Sequence, residues 1–359
     1  MNSSRLKKVL ESMEKRHLQQ AVFCDPASIF YLTGRWIEPG ERLYALYLNQ
    51  KGNHKIFINQ LFTVPEDLGV EKVRFFDTDD SIALLSQCIQ SGTPLGVDKN
   101  MPARFLLPLM SMCGASAFEN VSYCIDEARA CKDEQEIEWM KAVSRINDRA
   151  MAEFKKLLKE GITEKQVAGQ MLEIYRSFGA DDFSFAPLVG FGANAAMGHH
   201  EPDDTPLRTG DCVLFDVGCK KDFYCADMTR TFFFREIRNE EHRRIYQTVR
   251  AANETAEAAI KPGVPLKSID QIARDLITEA GYGPNFTHRL GHFIGLEVHE
   301  PGDVSTQSDL LATPGNIFSI EPGIYVEGEV GVRIEDLVLV TENGCEILNS
   351  FSKELEIIE

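Results

Sequence analysis

The 359-residue sequence is short of the features that mark membrane, secreted and nucleic-acid-binding proteins. No apolar run approaches the roughly 20 residues that a bilayer-spanning helix needs. The opening stretch MNSSRLKKVLESMEKRHL is polar and amphipathic, and it lacks the apolar segment of a signal peptide. Basic residues are scarce: 38 Lys+Arg stand against 55 Asp+Glu, for a formal net charge of −17. That balance disfavours nucleic acid, whose binding rests on neutralising phosphates, and it disfavours anionic membrane surfaces. The nine cysteines are odd in number and contain no Cys-x-x-Cys pair. Scattered thiols without a visible leader predict a reducing, cytoplasmic setting, with Cys219 and Cys225 among them as small buried hydrophobes. What the chain does have is an ordinary globular composition, 43% hydrophobic and 26% charged, at a length that suits two domains.

Up to about residue 124, helical and strand-like segments alternate. ALYLNQKGNHKIFIN reads as a hairpin turning at Lys51-Gly52-Asn53, SIALLSQCIQ as a helix, and TPLGVDKN as the opening of a strand. An α/β domain is expected over 1–124, and the charged stretch IDEARACKDEQ is the expected linker into a second domain over 125–359. From Asp133 onward Ile137, Met140, Val143, Ile146, Ala150, Phe154 and Leu157 recur at helical spacing. An internal echo follows. KEGITEKQVAGQMLEIYRSFG (159–179) aligns without a gap on KPGVPLKSIDQIARDLITEAG (261–281), and each copy follows a long helical stretch. VLFDVG (213–218) and IFSIEPG (317–323) then correspond in the same order. Helices and strands repeating in order predict a duplicated unit with pseudo-two-fold symmetry, so the expected fold class is α+β behind an α/β N-terminal domain.

Two hairpins close the two copies, and their acids carry the strongest chemical signal. A turn centred between Lys221 and Asp222 sets Asp216 opposite Asp227, and a turn centred on Gly328 sets Glu321 opposite Glu335. Like charges facing each other destabilise a sheet, and apolar neighbours such as Val213, Phe215, Phe232 and Phe233 predict burial, which raises the cost. A shared proton relieves one such pair. Divalent cations neutralise four converging carboxylates better, and solvated surface acids are the bland alternative. Two further stretches concentrate histidines: GFGANAAMGHHEPDD holds His199 and His200, and FTHRLGHFIGLEVHE holds His288, His292 and His299. Imidazole suits both metal ligation and proton transfer.

FDVG, CADMTRTF, HRLGHFIGLEVHE, SIEPGIY and GVRIEDLVLVTENG together resemble the motif set of the pita-bread metallopeptidases, the superfamily of methionine aminopeptidase, aminopeptidase P, prolidase and creatinase. SIFYLTGRW and GVDKN resemble the smaller creatinase-type N-terminal domain. The PGERL loop, HRLGH and the KELEII tail are most similar to bacterial Xaa-Pro dipeptidases (prolidases). The resemblance implies five metal ligands, Asp216, Asp227, His292, Glu321 and Glu335, holding two divalent ions, Mn(II) with Co(II) or Zn(II) as substitutes. It implies Glu321 as general base and proton donor, His199 and His299 bracketing the substrate, and His288 as a further active-site histidine. It also implies a homodimer. Arg333, beside the last ligand, and Arg42, in the N-terminal domain, are the candidates for the substrate's free carboxylate.

The reaction so implied is hydrolysis of the amide before proline in a dipeptide. That bond lacks the N–H on which ordinary peptide recognition relies. Three other readings stay open: an Xaa-Pro aminopeptidase acting on longer peptides, a creatine amidinohydrolase, and a non-catalytic binding module on the same fold. Two positions depart from the family pattern. Phe293 follows the ligand histidine where glycine is usual, which predicts a narrower wall of the site, and Asn316 stands at a usually apolar position.

Overall fold

A computed structural model describes residues 1–359, and the chain divides into two compact units, Met1–Arg129 and Ala130–Glu359. The division falls shortly after position 124, because the charged stretch expected as linker is itself helical over Ser122–Ala130. No helix is long and apolar enough to cross a membrane.

The first unit is built on a six-stranded sheet. Strand Gln20–Phe23 lies inside it, antiparallel to Tyr44–Asn49 and parallel to Leu95–Val97. The 44–59 hairpin pairs Tyr44 with Ile58 and Tyr47 with Lys55, and it turns through Gly52 at φ +83°. Gln20–Phe23 and Tyr44–Asn49 are buried along their whole length, as expected of inner strands with both faces covered.

The second unit is duplicated. Helices Glu134–Lys155 and Glu164–Ser177 make the first pair, and Glu240–Ala258 and Leu266–Glu279 the second. The aligned glycines adopt matching left-handed conformations: Gly161 and Gly263 at φ +81° and +82°, Gly179 and Gly281 at +92° and +97°. Equivalent backbone bonds recur too, from Gly161 N–H to Leu207 O and from Gly263 N–H to Ala312 O. Each pair covers its own sheet. Met151, Phe154, Val167, Met171 and Tyr175 cluster with Val189, Phe215 and Val217. Ile245, Val249, Ile269, Ala273 and Ile277 cluster with Phe318, Ile320 and Val338. The helix expected from Asp133 starts where predicted, with a capping box between Asp133 and Glu136.

The two hairpins behave differently against expectation. In the first, strands Cys212–Val217 and Met228–Phe234 pair Asp216 with Thr229, not with Asp227. The loop is Asp222-Phe223, closed by the pair Lys221 and Tyr224, with both loop residues at positive φ (+49° and +72°). Two-residue loops of this kind match the strand twist. Here the loop is also tied down, since the Lys221 ammonium and the Asp222 N–H both bond Asp181. The slip moves the partner by two residues, so Asp227 keeps its face and becomes a diagonal neighbour of Asp216. In the second hairpin the register is the expected one. Ile320 pairs with Asp336 and Gly323 with Arg333, which sets Glu321 level with Glu335 in the gap between two ladders.

Two departures from the family pattern find their reasons here. Phe293 points away from its ligand neighbour, as strand alternation requires, and packs on Phe318 at 5.5 Å in the core. The expectation that it narrows the site is therefore wrong. Asn316 is buried, accepts from Thr313 N–H at 2.8 Å and donates to Ala130 O at 2.9 Å. It pins the start of the second unit, work that an apolar residue cannot do. Asn316→Leu is expected to lower stability by roughly 1–3 kcal/mol for each buried group left unpaired. A urea midpoint shift without a change in slope checks this.

Candidate metal centre

The predicted ligands come from neighbouring strands and from the gaps beside them. Asp216 is next to last in strand Cys212–Val217, Asp227 precedes strand Met228–Phe234, and His292 is central in Gly291–Phe293. Ligand atoms of Asp227, His292 and Glu335 all lie within 4.8 Å of one another. His292 Nε2 stands 3.6 Å from Asp227 Oδ2 and 3.5 Å from Glu321 Oε1. Asp227, His292 and Glu335 are only 4%, 3% and 2% exposed, so water does little to separate their charges.

Electrostatics follow from that crowding. Burial first, then the neighbouring carboxylates, push Asp227 and Glu335 well above the usual carboxylate range. Glu321 is pushed up to about 7, chiefly by burial, while the Arg333 guanidinium and the Ser319 hydroxyl act against the rise. His292 is held down to about 3 by burial and by His299, so it is neutral and able to ligate. Its Nδ1 faces the Phe293 carbonyl at 3.2 Å, which fixes the tautomer that turns the Nε2 lone pair toward the acids. Two buried carboxylate oxygens, Asp216 Oδ1 and Asp227 Oδ1, have no hydrogen-bond partner. Orphaned acceptors on four crowded acids, plus one neutral imidazole, are a donor set suited to divalent cations.

A supporting layer that the sequence reading missed holds these acids. Thr229 donates to Glu335 Oε2 at 2.6 Å, and Ser319 donates to Glu321 Oε1 at 3.1 Å while accepting His292 N–H. Each lies two places from a predicted ligand, on the same strand face, and Ser319 is the one polar residue of its strand, which was the available signal. Arg333 is buried, and each of its three guanidinium nitrogens makes a hydrogen bond. It donates to Asp216 Oδ2 at 2.5 Å, Tyr325 Oη at 2.8 Å and Thr229 Oγ1 at 3.0 Å. These bonds place Arg333 beside Asp216, the nearest of the predicted ligands to its guanidinium.

The histidines divide. His299 has its ring 4.3 Å from that of His292, and its pKa is lowered by burial, by Arg289 and also by His199. His199 is exposed, at the tip of a loop. His288 faces Tyr325 Oη at 2.9 Å through Nε2, and burial holds its pKa down to about 4. It thus extends the chain from Asp216 through Arg333 and Tyr325. His200 does not join this group. Its Nε2 lies 2.6 Å from Glu164 Oε2. Arg42 belongs to the first unit, where its guanidinium forms a two-point pair with Asp77 at 2.8 and 2.9 Å and a contact with Glu41. Cys219 and Cys225 are buried.

Comparison with known proteins agrees with this geometry. Residues 138–342 match the model of metallopeptidase family M24, and residues 5–131 match the creatinase/prolidase N-terminal domain. The chain belongs to metallopeptidase family M24. Its second unit has the duplicated pita-bread fold of that family, and the family's divalent metal requirement fits the donor set above. An uncharacterized peptidase of Staphylococcus aureus (strain bovine RF122 / ET3-1) is 37% identical over 354 residues, 98% of this chain and 100% of that one. Among solved structures, a prolidase from Thermococcus sibiricus superposes with a TM-score of 0.92 at 32% identity, covering 99% of each chain. An X-Pro aminopeptidase from Thermotoga maritima superposes with a TM-score of 0.84 at 28% identity, covering 97% of this chain and 100% of that one.

Acids whose folded pKa is raised favour the metal-free fold at low pH and oppose it as pH climbs through the folded value. Cations remove that opposition. The rise in melting temperature on adding Mn(II) is therefore expected to grow from pH 5.5 to pH 8. Differential scanning fluorimetry at matched ionic strength checks this, and Asp227→Asn should shrink the rise at both pH values.

Proposed function

We propose that this M24 metallopeptidase hydrolyses the Xaa-Pro bond of dipeptides at a site where Asp216, Asp227, His292, Glu321 and Glu335 hold two divalent ions, Mn(II) foremost. The observation that carries the reading is the close grouping of Asp227, His292 and Glu335, with Glu321 3.5 Å from His292 and two buried carboxylate oxygens, on Asp216 and Asp227, left unpaired. The full-length likeness to a prolidase supports the substrate class. When bound, such ions polarise a carbonyl and lower the pKa of water. The remaining work falls to the chain. Glu321, steadied by Ser319, is the group that takes a proton from the attacking water and later returns it. His299 and His199 hold the substrate and stabilise the oxygen on which charge develops. Arg333, through Asp216, and Thr229, through Glu335, keep two ligands oriented.

Arg333 and Arg42 are the two cations of this reading for the proline carboxylate, and the test falls on Arg42. Its pair with Asp77 is solvent-exposed and holds it weakly, so another carboxylate competes readily. Arg42→Ala is expected to raise KM for Ala-Pro about tenfold, the scale of one charge-assisted hydrogen bond, with kcat little changed. An unchanged KM removes Arg42 from the site.

The decisive assay compares Ala-Pro with Ala-Pro-Ala, with Mn(II) and after chelation. Metal-dependent cleavage of the dipeptide, at a kcat/KM at least about tenfold above that of the tripeptide, is expected; a tenfold ratio is about 1.4 kcal/mol of preference. Preference for the tripeptide makes the protein an Xaa-Pro aminopeptidase instead. Glu321→Gln is expected to lower kcat for Ala-Pro by about 100-fold or more.

A further inference from the structure

His200 stands beside a residue assigned to the substrate, yet its ring turns the other way. Its partner is Glu164, the first residue of helix Glu164–Ser177, whose side chain is completely buried. The Glu164 carboxylate accepts four hydrogen bonds. Oε1 takes Phe191 N–H at 2.8 Å and Asn194 Nδ2 at 3.0 Å, and Oε2 takes His200 Nε2 at 2.6 Å and Asp203 N–H at 3.0 Å. All four donors belong to the segment from 191 to 203, and they fall on both sides of His199. A buried carboxylate is tolerated when its lone pairs are filled in this way and when it sits at a helix N-terminus.

The fold itself does not require this acid. In the duplicated half, the position aligned with Glu164 is Leu266, also at the first turn of its helix and fully buried in the core. The same helix start is thus built with an apolar residue in the other half. The clamped loop is also docked on the strand that carries Arg333: a Cβ placed on Gly331 would lie 1.8 Å from Ala195 O. Further along, Asn194 bonds Thr205 Oγ1, and Asp203 O accepts Lys165 N–H. Between these fixed points His199 is exposed at the tip of the loop.

We propose that Glu164, with His200, is a positioning residue that holds the 191–203 loop so that His199 faces the metal-ligand cluster. This rests on the reading of His199 as a substrate contact, and two separate measurements test it on the Mn(II)-loaded full chain. The first is amide hydrogen exchange, which needs no substrate. Glu164→Gln keeps the shape but can accept on one side only, and Glu164→Leu copies the other half of the fold. Both are expected to speed exchange within 191–203 while 212–217 and the bound Mn(II) stay as in the parent protein. Unchanged exchange in 191–203 overturns the proposal. The second is a double-mutant cycle on Ala-Pro hydrolysis. Glu164→Gln is expected to lower kcat/KM about tenfold alone, but less than about twofold in a His199→Ala background, because coupled residues are not additive. Equal losses in both backgrounds overturn the proposal by showing that Glu164 does not act through His199. A parent protein inactive on Ala-Pro refutes the Xaa-Pro reading and leaves the exchange measurement to decide the clamp.

Discussion

Four carboxylates and one imidazole share a pocket that water barely reaches, and this concentration of like charge is the constraint around which the second unit is arranged. Bringing acids together in a medium of low polarity is unfavourable unless cations or protons intervene. The crowding shows in two unpartnered oxygens and in the raised pKa values of Asp227, Glu321 and Glu335. The cation that bonds directly to these acids is Arg333, and its hydrogen bond goes to Asp216. One positive charge cannot offset four negative ones. It leaves the cluster short of neutral and receptive to divalent ions, while setting the orientation of one ligand.

The same arginine ties the site to its surroundings. From Asp216 a hydrogen-bonded chain runs through Arg333 and Tyr325 to His288. Thr229 bridges Arg333 and Glu335, so the two hairpins are joined side chain to side chain at their acidic gaps. Backbone bonds join them as well, from Glu335 N–H to Thr229 O. Below lies a second buried charge group in which Arg230 donates to the Glu335 carbonyl and pairs with Asp336, which also meets Lys353 of the C-terminal tail. Ligand placement in one hairpin therefore depends on the other, and neither half of the duplication can form the site alone.

Much of this was legible in the residues, for reasons that separate one element from another. The helix pairs announce themselves through long-range repetition, and Gly161, Gly179, Gly263 and Gly281 are required by their left-handed backbone. The Glu321 and Glu335 register was readable because Gly328, at φ +75°, marks the turn. The register of Asp216 was misplaced because its loop uses Asp222 and Phe223 at positive φ, and phenylalanine gives no sign of a turn. The error was harmless to the site because it was a slip of two, which preserves the face. The bond between Arg333 and Asp216 was out of reach, because it is a relation between hairpins more than a hundred residues apart in sequence. Phe293 was misjudged by treating a neighbour in sequence as a neighbour in space, although strand alternation argues the opposite.

Duplication explains the scaffold, and its breakdown explains the chemistry. The two halves agree closely where they only build structure, as at the paired glycines and the bonds to Leu207 and Ala312. They differ where one half must do something the other does not. Asp216 is followed by Val217, which continues its strand, whereas Glu321 is followed by Pro322, and pairing lapses around it. Glu164 faces Leu266 across the pseudo-symmetry, an acid against an aliphatic residue at the same helix start. A symmetric pair of halves would offer a symmetric pocket, but a peptide substrate has two unlike ends. The departures from the repeat are thus the places where the unlike sides of the site are made.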